Sequence, residues 1–95
     1  YDIAYFFIDY GTVKSISYEN KSYSMDNTLD ELENMLDPEI FFRANRQFII
    51  SRKAIKDIDL WFNNRLSVNL KVSLPEKILV SKARVPEFKS WFVGK

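Results

Sequence analysis

The chain has 95 residues and a formal net charge of +1, which allows one domain with a modest core. It contains no cysteine and no histidine, which excludes disulfides, thiolate metal sites and every Ser-His or Cys-His nucleophile pair. No apolar run is long enough to span a bilayer, and no signal peptide is visible. We therefore expect no cofactor, no bound metal and no membrane partner, and we expect a cytoplasmic protein.

Charge divides the chain into an acidic half and a basic half. Residues 1–42 carry nine acidic and two basic side chains, net −7, whereas residues 43–95 carry twelve basic and four acidic ones, net +8. Such asymmetry suggests a polyanion as the partner of the basic half. It is equally consistent with two halves that attract each other inside the fold, and the charges alone leave both interpretations open.

The first quarter of the chain predicts three short strands. Residues 3–8 are almost continuously apolar and aromatic, as in a buried strand. Turn residues at 9–12 lead to an alternating strand over residues 13–18, and a tight turn at 19–21 leads to a third strand over 21–25. Strands in this meander order form an antiparallel sheet.

A helical period follows the third strand. Thr28 and Glu31 have the spacing of a capping box, and Asp37-Pro38 ends the helix. Four apolar residues fall on one face at helical spacing: Leu29, Leu32, Met35 and Leu36. We expect a short amphipathic helix that lies on the sheet with its acidic side chains in water. A carboxylate site is the weaker alternative, because no partner is available to tune it.

Residues 41–55 place a patch of Arg, Asn and Gln between two apolar anchors. Phe41 and Phe42 re-enter the core, and residues 48–50 read as a strand. The patch between them has more hydrogen-bonding capacity than a core can satisfy, so we expect it to face outward. Donor-rich patches on a rigid support are suited to base edges or phosphates.

The remaining sequence predicts a hairpin. Residues 56–61 and 66–72 alternate between apolar and polar, and the Asn-rich turn between them tolerates positive φ. Ile58 and Leu60 are expected on the apolar face of the first of these strands. Residues 78–80 form a short last strand.

A final helix is opened by Pro86 and ended by Gly94. Its apolar face consists of Phe88, Trp91 and Phe92.

Three polar or basic clusters fall at strand ends or turns, at residues 12–14, 45–47 and 81–84. A compact domain could bring them to one edge, where Arg, Asn and Gln suit base edges and Lys and Ser suit phosphates. They favour nucleic-acid binding. The alternatives are solvated turns, or a non-enzymatic protein-interaction module that uses exposed aromatics such as Trp61 and Phe62. No enzymatic activity is expected, because the carboxylates lie on a solvated helix and on turns.

Four stretches resemble, in the right order, the motifs of LytTR-type DNA-binding domains. Residues 41–50 resemble the central signature Phe-x-Arg-x-His-Arg-Ser with its following apolar strand. Residues 28–33 are similar to the family's Thr-Leu-x-x-Leu-Glu helix, residues 78–84 to its closing Val-Ser-Arg motif, and residues 3–13 to its opening strand and glycine turn. The resemblance covers almost the whole chain.

The resemblance implies a single domain over residues 1–95 with a mainly β fold, in which short antiparallel strands form small sheets with one or two short helices. It implies a transcription-regulating output domain of a bacterial two-component response regulator. Such a domain binds double-stranded DNA at direct repeats, through loops that enter major grooves. The resemblance also implies an upstream receiver domain phosphorylated by a histidine kinase, and it leaves open a dimer on DNA. The strand-like start at Tyr1, without an initiator Met, favours a piece of a longer protein.

The residues that we expect at the DNA are Lys14, Arg43, Asn45, Arg46, Gln47, Ser81, Lys82, Arg84 and Lys89. The sequence departs from the family pattern where Asn45 replaces a His, Gln47 a Ser, Ser51 an Asn and Lys82 an Arg. The fold tolerates these changes, but the preferred base sequence need not be the same. For Arg43 a second, structural interpretation stays open, in which it pairs with an acid of the first half.

Overall fold

This computed structural model describes residues 2–94. The chain forms two antiparallel sheets, one of five strands and one of three. The five-stranded sheet has the order β3-β2-β1-β5-β4 and the three-stranded sheet the order β6-β7-β8. The strands are β1 (Ile3–Asp9), β2 (Thr12–Ser17), β3 (Ser22–Met25), β4 (Phe41–Arg43), β5 (Phe48–Ser51), β6 (Ile55–Trp61), β7 (Arg65–Leu70) and β8 (Ile78–Val80). The helices are α1 (Leu29–Met35) and α2 (Val85–Val93). The predicted mainly β fold is confirmed. The ends of the predicted strands lie within two residues of those observed, and β4 is a strand that the sequence did not predict.

The central strands β1 and β5 are buried on both faces, which explains the continuous apolar sequence of residues 3–8. In β5, Phe48 and Ile50 belong to a core shared with α2 and the three-stranded sheet. Ile49, between them, belongs to a second core on the opposite face, together with Leu29 and Leu32 of α1. Successive side chains alternate across a strand, so one short strand supplies two cores.

Helix α1 begins at the predicted capping box. Thr28 Oγ1 accepts a hydrogen bond from the Glu31 N–H at 3.1 Å, and the Glu31 carboxylate accepts one from the Thr28 N–H at 2.9 Å. These two bonds satisfy backbone donors that a helix start would otherwise leave unpaired. Leu29 and Leu32 then pack against Phe6, Phe41 and Ile49.

Helix α2 covers the other face of the sheet and is held at its carboxyl end by Arg52. Phe88 is fully buried, and its ring meets that of Phe42 edge-on at 5.4 Å. The Arg52 guanidinium donates to the carbonyls of Trp91 and Phe92 and lies 4.2 Å from the centre of the Trp91 ring. A cation at a helix C-terminus satisfies free carbonyls and complements the helix dipole.

The hairpin of β6 and β7 confirms the predicted turn but not the predicted facing of Leu60. Asn63 and Asn64 take positive φ values of 60° and 61°, as the sequence led us to expect. Ile58 packs partly against the core, whereas Leu60 is 84% exposed. Strand periodicity assigns a residue to a face of the sheet, but β6 is an edge strand and nothing in residues 2–94 covers that end of it.

Residues 2–94 contain neither a membrane-spanning helix nor a cluster of metal ligands. No helix in this range is long and apolar enough to cross a membrane. The same residues contain no group of three or more His, Cys, Asp or Glu side chains placed to hold a metal ion.

Ser67 gives a test of the core. Its hydroxyl is fully buried and has no hydrogen-bond partner among the described residues. Because a buried hydroxyl without a partner is destabilising, Ser67→Ala should raise the free energy of unfolding by about 1 kcal/mol. Ser51→Ala is the matched control: Ser51 is also buried, but its Oγ lies 3.0 Å from the Tyr18 hydroxyl, so its loss should cost about 1 kcal/mol. Urea unfolding measures the free energy of unfolding of both variants. Equal losses of stability in the two variants would contradict this interpretation of Ser67.

Candidate nucleic-acid interface

The three predicted clusters lie at one edge of the molecule. We name residues 44–47, between β4 and β5, the central loop, and residues 79–84 the β8 exit. The Ile8 N–H donates to the Gln47 carbonyl at 3.2 Å, which sets the central loop beside the end of β1 and its turn into β2. The Ser81 N–H donates to the Ala44 carbonyl at 3.2 Å, which brings the β8 exit to the same loop.

Arg43 braces the central loop against α1. Its side chain is only 10% exposed, and its donors reach acceptors within the protein. Nε donates to the Asn45 carbonyl at 2.7 Å and Nη2 to the Arg46 carbonyl at 2.9 Å. Nη1 donates to the carboxylates of Asp30 at 2.9 Å and Glu33 at 3.1 Å. Of the two interpretations left open for Arg43, this geometry is that of pairing with acids of the first half.

The amide of Asn45 is also bonded within the protein. Its Oδ1 accepts from the N–H groups of Gln47 at 2.7 Å and Phe48 at 3.1 Å. Its Nδ2 donates to the Leu79 carbonyl at 2.7 Å. Bidentate recognition of adenine needs a free acceptor and a free donor on the same amide. An amide oxygen has two lone pairs, and both are used here, so this conformation has no free acceptor on Asn45.

The exposed side chains of the site are Arg46 and Gln47 in the central loop and Lys82 in the β8 exit. No side-chain hydrogen bond or ion pair of these three occurs within residues 2–94, so their donors remain available to a ligand. Arg46 and Gln47 line a shallow depression on the surface. That depression is lined by Asp30, Glu33, Arg43, Asn45, Arg46, Gln47, Ser81 and Arg84.

The other predicted residues near this edge have partners. Arg84 Nη1 donates to the Arg43 carbonyl at 3.2 Å and lies 3.8 Å from the Glu33 carboxylate. The Lys14 ammonium is 2.8 Å from the Asp9 carboxylate, and both side chains are about one-third exposed. Ser81 is half-buried. Because Arg84 and Lys14 are partly exposed, each keeps donors that can turn toward solvent.

Lys89 lies away from the other predicted residues. It is exposed on α2, beside an apolar cleft lined by Ile58, Leu66, Phe92 and Val93. None of the other eight predicted residues lines that cleft. The structure therefore brings most of the predicted residues to one edge, and Lys89 borders a different cleft.

Asp30 and Glu33 are the site residues that the sequence interpretation assigned only to solvent. Both lie on the side of α1 that meets Arg43, and Glu33 approaches both Arg43 and Arg84. Their spacing of three residues, which puts two helical side chains on one face, is the signal that could have suggested a shared partner. The two oppositely charged halves do attract each other here, while Arg46 and Lys82 stay without an acidic partner among the described residues.

The family model described as the LytTr DNA-binding domain matches residues 1–93 of the chain. The chain belongs to the LytTr DNA-binding domain family. This LytTr domain is 39% identical over 75 residues to the sensory transduction protein LytT of Enterococcus faecalis. It is 36% identical over 69 residues to the transcriptional regulatory protein YpdB of Escherichia coli. It is 31% identical over 78 residues to the transcriptional regulatory protein LytR of Staphylococcus aureus.

These alignments cover 79%, 73% and 82% of the LytTr domain, but only 30%, 28% and 31% of the relatives. The chain thus spans about three-tenths of the length of these regulators. A solved LytTr DNA-binding domain from a methyl-accepting/DNA response regulator of Bacillus cereus has the same fold, with a TM-score of 0.84. That match covers 97% of this LytTr domain and 82% of the other chain, at 20% sequence identity.

The two arginines of the site should differ in their effect on stability. Arg43→Ala removes bonds to two carbonyls and two carboxylates, so it should lower the free energy of unfolding by about 1–3 kcal/mol. Arg46→Ala removes an exposed side chain and should change it by less than about 0.5 kcal/mol. Urea unfolding of both variants is the measurement. Equal effects would show that the Arg43 network is not formed in solution.

Proposed function

We propose that this LytTr domain binds double-stranded DNA in a sequence-specific manner through the edge formed by the central loop and the β8 exit. The observation that carries the proposal is the set of exposed donors of Arg46, Gln47 and Lys82 on segments tied together by hydrogen bonds. The membership of the domain in a DNA-binding family supplies the ligand class. A B-form major groove is about 12 Å wide and admits a protein segment carried on a rigid support.

Each predicted residue has a role that fits its place. Arg46 suits guanine, to which a free guanidinium binds bidentately, and Gln47 suits adenine. On the β8 exit, the side chains of Lys82 and Ser81 suit contacts with phosphates or base edges. Lys14, in β2 near its start, and Lys89, on α2, suit phosphates that flank the groove.

Arg43, Asn45 and Arg84 support this surface from beneath. Arg43 and Asn45 have their hydrogen-bonding groups engaged within the protein, as described above. Arg84 is half-buried, so it can supply a phosphate contact as well as its bond to the Arg43 carbonyl.

The domain would act as the output part of a transcriptional regulator. Its relatives are named as sensory transduction and transcriptional regulatory proteins, and the match to the chain covers only about three-tenths of their length. We infer that the whole regulator has an upstream receiver domain, which a histidine kinase phosphorylates. We also infer that it binds DNA at direct repeats and forms a dimer there. Such a protein would work in the bacterial cytoplasm. No catalytic role is part of this proposal.

A second function, protein interaction, is favoured by one observation at the tip of the β6–β7 hairpin. Leu60 is 84% exposed and Phe62 is 74% exposed, and the Trp61 ring lies beside Phe62 with centroids 5.3 Å apart. Exposed apolar groups in a cluster often mark protein contacts. A pull-down that recovers a partner at high salt, from a domain with no affinity for DNA, would make this the main function.

Arg46→Ala should weaken binding to the preferred DNA site by about 1–3 kcal/mol and relax discrimination at one base pair. The preferred site comes from selection out of a random duplex pool, and fluorescence anisotropy gives the affinities. Undetectable affinity of the unmodified domain for any duplex, even at low salt, would refute the proposed function.

Lys14→Ala and Lys89→Ala should weaken specific and random DNA alike, because phosphate contacts carry no sequence information. Each should also reduce the slope of log affinity against log salt by about 1. Titrations at several salt concentrations measure this slope. If a variant keeps the full slope, the lysine that it lacks does not contact a phosphate. For Lys89 that result would place α2 outside the DNA interface.

A further inference from the structure

The central loop and the β8 exit come from different sheets, yet two hydrogen bonds join them, and a third joins the β8 exit to Arg43, the residue before the loop. One joins two backbone groups and two involve side chains. They run from the Ser81 N–H to the Ala44 carbonyl at 3.2 Å, from Arg84 Nη1 to the Arg43 carbonyl at 3.2 Å, and from Asn45 Nδ2 to the Leu79 carbonyl at 2.7 Å. The Asn45 bond is the shortest of the three.

The Asn45 bond differs from the other two because the same side chain also forms hydrogen bonds within its own loop. Its Oδ1 accepts from the N–H of Gln47, two residues on, which is an Asx turn, and from the N–H of Phe48. One amide group therefore holds the conformation of the central loop and its distance from β8.

The proposed DNA-contacting residues adjoin this amide in the chain. Arg46 and Gln47 follow Asn45 directly, and Lys82 follows its partner Leu79 by three residues. A shift of the loop against β8 would change the spacing between Arg46 and Lys82. Groups that must meet fixed positions on a ligand lose their interaction when they are displaced by about 0.5 Å or more.

We propose that Asn45 is a positioning residue that sets the spacing between the central loop and the β8 exit, and that it does not itself contact a base. The proposal rests on the proposed function, because the spacing matters only if both segments touch DNA. It revises the direct DNA contact expected for Asn45 from the sequence. The engaged lone pairs of Oδ1 are the reason, since base contact would require breaking the turn that presents Arg46.

Two variants separate the roles of the amide. Asn45→Ser keeps a hydroxyl that can accept from the Gln47 N–H, but it is too short to reach Leu79, whereas Asn45→Ala removes all three bonds. The Ser81–Ala44 bond and both cores remain, so the fold should be retained. Gln47→Ala is the matched control for folding stability, and not for DNA binding, because it removes a neighbouring exposed side chain that has no side-chain hydrogen bond within residues 2–94.

The base preference of the variants distinguishes positioning from reading. If Asn45 positions the two segments, Asn45→Ser should lose about tenfold in affinity for the selected site and keep its affinity for random DNA. The preferred base at every position should stay the same. A change of the preferred base at one position, with the others unaffected, would show that Asn45 reads that base and would overturn the proposal.

A double-mutant cycle tests the coupling between segments. Once the spacing is lost, the contact of Lys82 is already weakened, so Lys82→Ala should cost clearly less in the Asn45→Ser background than in the unmodified chain. Additive effects of the two substitutions would overturn the proposal. The same cycle with Lys14→Ala, which lies outside both segments, should be additive and serves as the control.

Hydrogen exchange of the free chain tests the loop without DNA. The amide protons of Gln47 and Phe48 should exchange faster in Asn45→Ala, while those of Ile49 and Ile50 in the paired strand β5 stay protected. Unchanged exchange at Gln47 and Phe48 would refute the turn. If the unmodified chain failed to bind DNA, the proposed function would fail even with the turn confirmed, so the two failures are distinguishable. Should Asn45→Ala fail to fold, the DNA affinity and the double-mutant cycle of Asn45→Ser, which keeps an acceptor for the Gln47 N–H, still test the bond to Leu79.

Discussion

Strands β1 and β5 pair in antiparallel register through Tyr5, Phe6 and Phe7, and both strands are buried on both faces. Two cores close around this pair, one under α1 and one shared with α2 and the second sheet. The pair ends where the Ile8 N–H meets the Gln47 carbonyl. Close-packed cores have low compressibility, so the β1–β2 turn and the central loop, which follow or precede these strand ends, are attached to a rigid support. The position of the interface thus follows from the packing of the two central strands.

The polar residues of the candidate interface divide into those bonded within the protein and those that are exposed. Arg43 and Asn45 direct their donors and acceptors at the backbone of the loop and at neighbouring elements. Arg46, Gln47 and Lys82 are exposed. This division agrees with a general requirement of recognition sites, in which the groups that contact the ligand are held in place by others bonded behind them.

The acidic residues of α1 also have a place in this arrangement. Asp30 and Glu33 lie beside the proposed DNA surface, where free carboxylates would repel phosphates. The Arg43 guanidinium contacts both, and Arg84 approaches Glu33. Pairing reduces the repulsion that these acids would exert on DNA, so the acidic first half of the chain is compatible with a polyanion as partner.

Sequence alone determined every strand except β4, the capping box, the Asn turn and the order of the family motifs, because each depends on the character and spacing of nearby residues. The tertiary structure decided what covers each face and which polar group meets which. Leu60 has the period of a core residue but lies uncovered at a sheet edge. Arg43 and Asn45 look like free donors in the sequence, yet their partners Asp30, Glu33 and Leu79 lie 10 to 34 residues away along the chain. Periodicity carries no information on such distant partners, so only the folded chain shows which polar residues are bonded within the protein and which stay exposed.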